Sequence, residues 1–178
     1  MTARVRAERP GNAAAVRAVL CAAFPTAEEA DLVDQLRADG DAAIALVAEE
    51  AGEIVGHVLL SRMAVEADGR PLRALGLGPL AVLPARQRRG IGAALVREAI
   101  ARARHAGEAM MFVVGDPAYY RRFGFTAEAA AAFASPYAGP HLMALALADI
   151  GVPQRGTAAY APAFALVSGG APSPAART

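Results

Sequence analysis

The sequence predicts a single mixed α/β (α+β) domain, a central and mostly antiparallel twisted sheet flanked by helices. Three observations predict it. Between residues 43 and 82 three strand-like runs follow one another, separated by Ala51-Gly52 and Asp68-Gly69; such pairs accept positive φ and favour antiparallel hairpins. A helical run with apolar residues at Ile91, Leu95, Ala99 and Ala103 then leads to the unbroken apolar stretch Met110 to Val114, the pattern of a strand covered on both faces. The chain has 178 residues, 55% of them hydrophobic, enough for one full core and short for two.

Taken in order, Val5 alternates with Arg4 and Arg6 in a first strand that Pro10-Gly11 ends. Asn12 suits the cap of a helix over 13–24, with Val16, Val19, Leu20 and Ala23 on one face. Thr26 and Glu29 have the spacing of a capping box for a second helix to about residue 38, with Leu32, Val33 and Leu36 as its stripe and Gly40 as its stop. Strands follow over 43–49, 53–65 and 72–82. Gly76 and Gly78 inside the last suggest a bulge or a close approach by another backbone. Glu98 and Arg102 pair on the outer side of the helix 91–105, and Gly107 closes it. Asp116 caps and Pro117 starts a short helix carrying Tyr119, Tyr120 and Phe123, ended by Gly124. Residues 127–140 have no clear period, 142–147 read as a late strand, and 148–164 as an edge strand or arm. Residues 169–178, rich in Pro, Ser, Gly and Ala, are expected to be disordered.

Composition narrows the classes. Every one of the 18 basic residues is Arg, and the net charge of +1 gives no basis for nucleic-acid binding. The single Cys21 excludes an internal disulfide and fits a reducing compartment; its neighbours Val19, Leu20 and Ala22 predict a buried, inert thiol. Arg4, Arg6 and Arg9 before an Ala-rich run mimic a signal peptide, but Pro10-Gly11 and Arg17 break it. No run reaches the ~18 apolar residues of a membrane span. The expectation is a cytoplasmic protein.

The chemistry concentrates between residues 77 and 103. Pro84 fixes φ and removes an N–H, so the strand Leu80-Ala81-Val82 must stop there. Gly90 and Gly92 leave the first-turn N–H groups of the next helix open, where the dipole adds partial positive charge, an anion cradle suited to phosphate. Arg86, Arg88 and Arg89 add full charges. A dinucleotide fingerprint is excluded by the missing third Gly, where Leu95 stands.

Gln87-Arg88-Arg89-Gly90-Ile91-Gly92 resembles the Gln/Arg-x-x-Gly-x-Gly/Ala acyl-CoA signature of the GNAT superfamily of N-acetyltransferases. Leu80-Ala81-Val82-x-Pro84 resembles that family's preceding strand, and Tyr119-Tyr120-Arg121-Arg122-Phe123-Gly124-Phe125 its Tyr-x-x-x-Gly-Phe block. The resemblance spans roughly residues 3–150, which it implies are the catalytic domain, with 151–168 an arm or edge strand of it. Tyr160-Ala161-Pro162-Ala163-Phe164 is similar to one branch of bacterial members.

The resemblance implies a sheet splayed between two parallel strands, 75–82 and 110–114, opening after residue 82. Acetyl-CoA would lie there as cosubstrate, without a metal. Its pantetheine arm would pair with the backbone of Leu80 and Val82, and an N–H near Leu80 or Ala81 would polarise the thioester carbonyl. The pyrophosphate would rest on the amides of Gln87, Arg88, Arg89, Gly90, Ile91 and Gly92, with Ala93 completing the first turn. Tyr120 takes the place of the general acid, with Tyr119 the alternative; a phenol keeps its proton at neutral pH and can give it to sulfur. The family's Asn seven residues earlier is Val113 here. No general base is identified: Glu49, Glu50, Glu53, Glu66 and Asp68 lie near turns and read as solvated, His105 as a helix-terminal cation, and His57 as a core or rim residue. The implied activity is acetyl transfer to a primary amine, of a small molecule or a protein, by direct attack in a ternary complex. The alternative is a non-catalytic acyl-CoA-binding module. The chain would be a monomer or homodimer.

Overall fold

The structure is a computed structural model and describes residues 3–167. In chain order it runs β1 (Arg4–Ala7), α1 (Ala13–Ala23), α2 (Glu28–Ala38), β2 (Ala42–Glu50), β3 (Glu53–Arg62), β4 (Ala64–Ala67), β5 (Arg70–Leu72), β6 (Ala74–Val82), α3 (Ile91–His105), β7 (Met110–Val114), α4 (Pro117–Tyr120), α5 (Ala127–Ala130), β8 (Phe133–Ala134), β9 (Leu142–Ala146) and β10 (Gly156–Ala159). The fold is the expected mixed α/β arrangement. Its main sheet has six strands in the order β1-β2-β3-β6-β7-β9, and only β6 and β7 run parallel.

Each sheet face has its own core. α3 lays Leu95, Val96 and Ala99 on Val58, Leu60, Leu77 and Leu80, as the 91, 95, 99, 103 stripe requires; all four stripe residues are buried. On the opposite face α1 and α2 bring Val16, Leu20, Leu32 and Leu36 to Val47, Leu59 and Ala81. At the burial of these side chains, each Val and Leu contributes about 1.5–3 kcal/mol relative to exposure.

Several local expectations change. The run 53–65 is not one strand: it breaks at Met63, and β4 pairs with β5 and β10 in a second sheet of order β5-β4-β10-β8. The run 72–82 breaks likewise at Arg73. The hairpin between β4 and β5 turns on Asp68 and Gly69, both at positive φ as expected. Residues 127–140, without a visible period, hold α5 and the short β8. The arm after residue 148 supplies β10, antiparallel to β4 and parallel to β8. Thr26 does not cap α2: Ala27 does, Thr26 Oγ1 accepts from the Glu28 N–H at 3.3 Å, and Glu29 is turned into the protein. The Asn12 side chain accepts from the Arg9 N–H and from Arg6, both at 3.0 Å, and so closes the turn before α1 instead of capping it. Cys21 is exposed, on the outer side of α1, because the 16, 19, 20 stripe points the other way. The expectation of disorder over 169–178 lies outside the described residues.

A buried polar cluster ties β1, β3 and α2 together. His57, wholly buried, lies 3.1 Å through Nε2 from Glu8 Oε2, and Arg37 closes on the other carboxylate oxygen. Burial holds the His57 imidazole below its ordinary value, outweighing the pull of Glu8. Burial pushes Glu8 up, but the hydrogen bond and charge of His57 and the Arg37 guanidinium hold it below the usual carboxylate range. The folded protein therefore carries a neutral His57 and an ionised Glu8 at neutral pH.

Both groups make stability fall with pH, in two windows. Below about 6.5 the unfolded chain binds a proton at His57 that the folded chain refuses; below about 4.5 the same holds for Glu8. Thermal melts from pH 7.5 to 4.0 should show a falling Tm, and His57→Gln should flatten the slope between pH 6.5 and 5. A wild-type Tm that is level from pH 7.5 to 5 would contradict the neutral, buried His57.

Candidate active site

The site begins where β6 leaves β7. Their parallel register ends at Leu77↔Val113. On its other side β6 stays paired with β3, but between Val58↔Leu80 and Leu60↔Leu77 two residues of β6, Gly78 and Pro79, stand against one of β3, Leu59. The extra residue is a bulge at Gly78-Pro79, with Gly78 at φ +144°. Pro79 has no N–H to give to either neighbour. The splay therefore opens after Leu77, five residues before the expected position.

Backbone alternation decides which groups face the opening. The Leu83 N–H donates to Val55 O at 2.9 Å. Two-residue alternation then turns the N–H and C=O of Ala81 toward His57, and those of Leu80 and Val82 away from β3, toward the departed β7. Of the two amides considered from the sequence, Leu80 faces the opening and Ala81 does not. The Val82 carbonyl accepts from Gln87 Nε2 at 3.1 Å, which fastens the loop to the strand end.

The loop is wound tightly. A 3-10 turn at Pro84–Arg86 follows the strand, Arg88 sits at φ +59°, and Gly90 caps α3 in the left-handed region at φ +81°. A Cβ at Gly90 would meet open space, so the demand for Gly there is conformational and not steric. The first helical bond runs from the Ala94 N–H to Gly90 O at 3.0 Å, and the N–H groups of Ile91, Gly92 and Ala93 precede it. Their donors project from the start of α3 beside the end of β6.

The loop arginines differ in duty. Glu50, expected to be solvated, has only 9% of its side chain exposed and lies 2.8 Å from Arg86 Nε and 3.2 Å from Arg89. The Arg86 contact is an ion pair by distance without the alignment of a hydrogen bond. Glu50 thus holds two of the three charges in place. Arg88 is exposed, and no ion pair among the described residues engages it. Glu49 pairs with Arg6 at 2.5 Å.

Tyr120 ends α4, the short helix that follows β7. The Asp116 carboxylate accepts from the Ala118 N–H at 2.9 Å, and Pro117 starts the helix, as the sequence suggests. Tyr120 is 1% exposed and packs edge-on to Phe125 and Tyr119. Its ring covers Gly115, where a Cβ would come within 2.6 Å of Cε2. Burial, and secondarily Tyr119, push its phenol far above the ordinary value of 10.0, so the proton stays on oxygen. Tyr119 is half-buried, with the Arg122 guanidinium 5.1 Å from its ring centre.

A family model for the acetyltransferase (GNAT) domain matches residues 4–127. The chain belongs to the GNAT acetyltransferase family. It is 37% identical over 122 residues to the uncharacterised N-acetyltransferase YhbS of Escherichia coli K12, covering 68% of this chain and 72% of that protein. To YjhQ of the same strain, also an uncharacterised N-acetyltransferase, it is 39% identical over 117 residues. The crystal structure of E. coli YhbS in complex with CoA superposes with a TM-score of 0.83 at 33% identity, covering 93% of both chains. A GNAT acetyltransferase from Brucella melitensis in complex with acetyl-CoA superposes with a TM-score of 0.74 at 38% identity, covering 91% of this chain and 97% of that one.

In this GNAT chain Leu80 and Val82 lie on the stretch of β6 that β7 has left, residues 87–93 follow the end of that strand, and Tyr120 shares a buried cluster with Leu80, Val82 and Ile91; Val113 is buried in the same cluster, paired with Leu77 and Met143. Sequence reading missed Glu50, because its role depends on a pairing 36 and 39 residues away with Arg86 and Arg89. Glu53, Glu66 and Asp68 are exposed as expected. Among the described residues no helix is long and apolar enough to cross a membrane.

Proposed function

We propose that this protein transfers the acetyl group of acetyl-CoA to a primary amine, of a small molecule or a protein, by direct attack of the amine in a ternary complex. The observation that carries the reading is the meeting of inward-facing Leu80 and Val82 backbone groups with the open amides at the start of α3. An extended amide-bearing arm pairs with the first and its phosphates rest on the second, a donor set suited to CoA. CoA and acetyl-CoA in the two superposed relatives support it. Arg88 supplies the uncommitted charge, while Arg86 and Arg89 answer first to Glu50.

The roles divide as follows. The Leu80 N–H is placed to hydrogen-bond a thioester carbonyl and to stabilise the oxyanion as the amine nitrogen bonds to carbon. The carbon–sulfur bond then breaks, and Tyr120 gives its proton to sulfur; water restores that proton as the new amide sheds one. Burial keeps the Tyr120 phenol protonated at neutral pH, so it carries a proton to give and is not available as a base; the same shift makes it a weak acid, and its contribution is correspondingly small. His57 has no exposure and is engaged with Glu8, so it receives no part in this scheme. Acetyl-CoA supply and an exposed free thiol at Cys21 both fit a cytoplasmic setting.

Gly92→Asp places bulk and negative charge at the mouth. Calorimetry with acetyl-CoA should show affinity lost by 100-fold or more, on the order of two 1.4 kcal/mol steps; Arg88→Ala should cost less and be the more salt-sensitive of the two. Unchanged affinity in a folded Gly92→Asp protein would refute the CoA site.

Tyr120→Phe should keep fold and acetyl-CoA affinity and lower kcat more than it changes KM. A general acid is worth ~10²–10⁴-fold, and a thiolate is already a fair leaving group, so the low end applies. Thiol release by Tyr119→Phe should stay near wild type. If Tyr119→Phe proves the slower variant, the acid is Tyr119.

A further inference from the structure

Two buried hydroxyls take no part in this scheme and have no hydrogen-bond partner among the described residues: Ser61 Oγ and Tyr160 Oη. Ser61 is 0% exposed and Tyr160 half-buried, and both hydroxyl oxygens are turned inward. An orphaned hydroxyl in a dry interior is costly, and most native ones are satisfied. Two in one place, next to a candidate active site, point to a missing partner.

The register brings them together. Ser61 on β3 lies directly opposite Gly76 on β6. Their neighbours Leu60 and Leu77 point into the α3 core, so Ser61 and Gly76 face the other side of the sheet, away from α3. The Tyr160 ring lies against Gly76 on that side: a Cβ there would sit 2.5 Å from Cε1, with Met63 Sδ at 3.2 Å. Opposed residues hold their Cβ positions about 4.5–5.5 Å apart, so Ser61 borders the Tyr160 ring. Gly76 is one residue before the last β6–β7 pair, so both hydroxyls stand at the root of the splay. Tyr160 and Tyr120 are also within electrostatic reach of each other. Tyr160 comes from the Tyr160-Ala161-Pro162-Ala163-Phe164 segment, where it packs edge-on against Tyr137 at 5.4 Å and Phe164 at 4.9 Å.

We propose that Ser61 Oγ and Tyr160 Oη form the amine-holding end of the acceptor site, on the sheet face opposite α3. The proposal rests on the acetyltransferase reading above. Each hydroxyl oxygen accepts a hydrogen bond from an N–H of the acceptor amine, which leaves the nitrogen lone pair free to face the splay. Two neutral acceptors flanked by aromatic rings and a thioether suit a primary amine with an apolar body better than a polycation. The Gly at position 76 is then a requirement of the site: a side chain there would displace the Tyr160 ring.

The test uses Tyr160→Phe, which keeps the ring, and Ser61→Ala, which keeps the strand. Thiol release from acetyl-CoA is measured with hydroxylamine, glycinamide, 2-phenylethylamine and spermidine, and the amine fastest with wild type is used throughout. Each variant should lose about 10-fold or more in kcat/KM for the amine, the scale of one hydrogen bond left unmade, while acetyl-CoA affinity by calorimetry stays at wild type. Because an unpaired hydroxyl is removed, Tm should hold or rise. A kcat/KM for the amine within 2-fold of wild type in both variants would overturn the proposal. So would a fall in Tm, which would mean that the hydroxyls serve a structural partner such as a buried water, or a parallel loss of acetyl-CoA affinity. A wild type that binds acetyl-CoA but releases no thiol with any amine refutes the transferase reading and this proposal with it; activity in wild type with indifferent variants refutes this proposal alone.

Discussion

The parting of β6 from β7 is the constraint on which the rest depends. A sheet interior normally pairs every backbone N–H and C=O, since an unmade bond in a dry setting costs about 1–3 kcal/mol. Here a bulge at Gly78-Pro79 turns β6 away after Leu77↔Val113 and leaves Leu80 and Val82 facing an opening. Packing on both faces supports the strands on either side of the opening. α3 covers one with Leu95 and Val96, α1 and α2 the other with Val16 and Leu36. Tyr120 sealing Gly115 and Tyr160 covering Gly76 flank the opening.

Charge is arranged with the same economy. Glu50 holds Arg86 and Arg89 so that the loop keeps its left-handed turns at Arg88 and Gly90. Without that anion, three guanidinium groups would repel one another around a backbone already strained at Arg88, where a non-Gly residue at positive φ is unfavourable by about 1–2 kcal/mol. The Glu8–His57–Arg37 cluster does comparable work behind β6, where His57 is paired to Ala81 and so fixes which backbone groups of β6 are left to face the opening.

The local features were legible because they are local. The Gly-x-Gly start of α3, the Asp116-Pro117 entry to α4, the stripe 91, 95, 99, 103 and the turns at residues 51–52 and 68–69 each carry their physics in adjacent residues, and the structure has them where they were read. What lay hidden depends on distance along the chain. Nothing near residue 63 announces that β4 leaves the main sheet, because its partner β10 lies some ninety residues later. Cys21 has apolar neighbours in sequence, which predict burial, whereas the helix turns it outward. A Gly within a strand at position 76 signals close approach, and the approaching group is the ring of Tyr160 and not a backbone. The bulge at Gly78 was readable, yet its consequence, a splay opening at residue 78 and not after 82, needed the register of both neighbouring strands.

The most direct test of the account is residue-resolved amide exchange along β6, with and without saturating acetyl-CoA. Alternation assigns the Leu80 and Val82 amides to the opening and the Ala81 amide to β3. The account predicts that acetyl-CoA slows exchange at Leu80 and Val82 and leaves Ala81 as slow as before. Protection gained at Ala81, or none at Leu80 and Val82 while calorimetry shows the site filled, would contradict it.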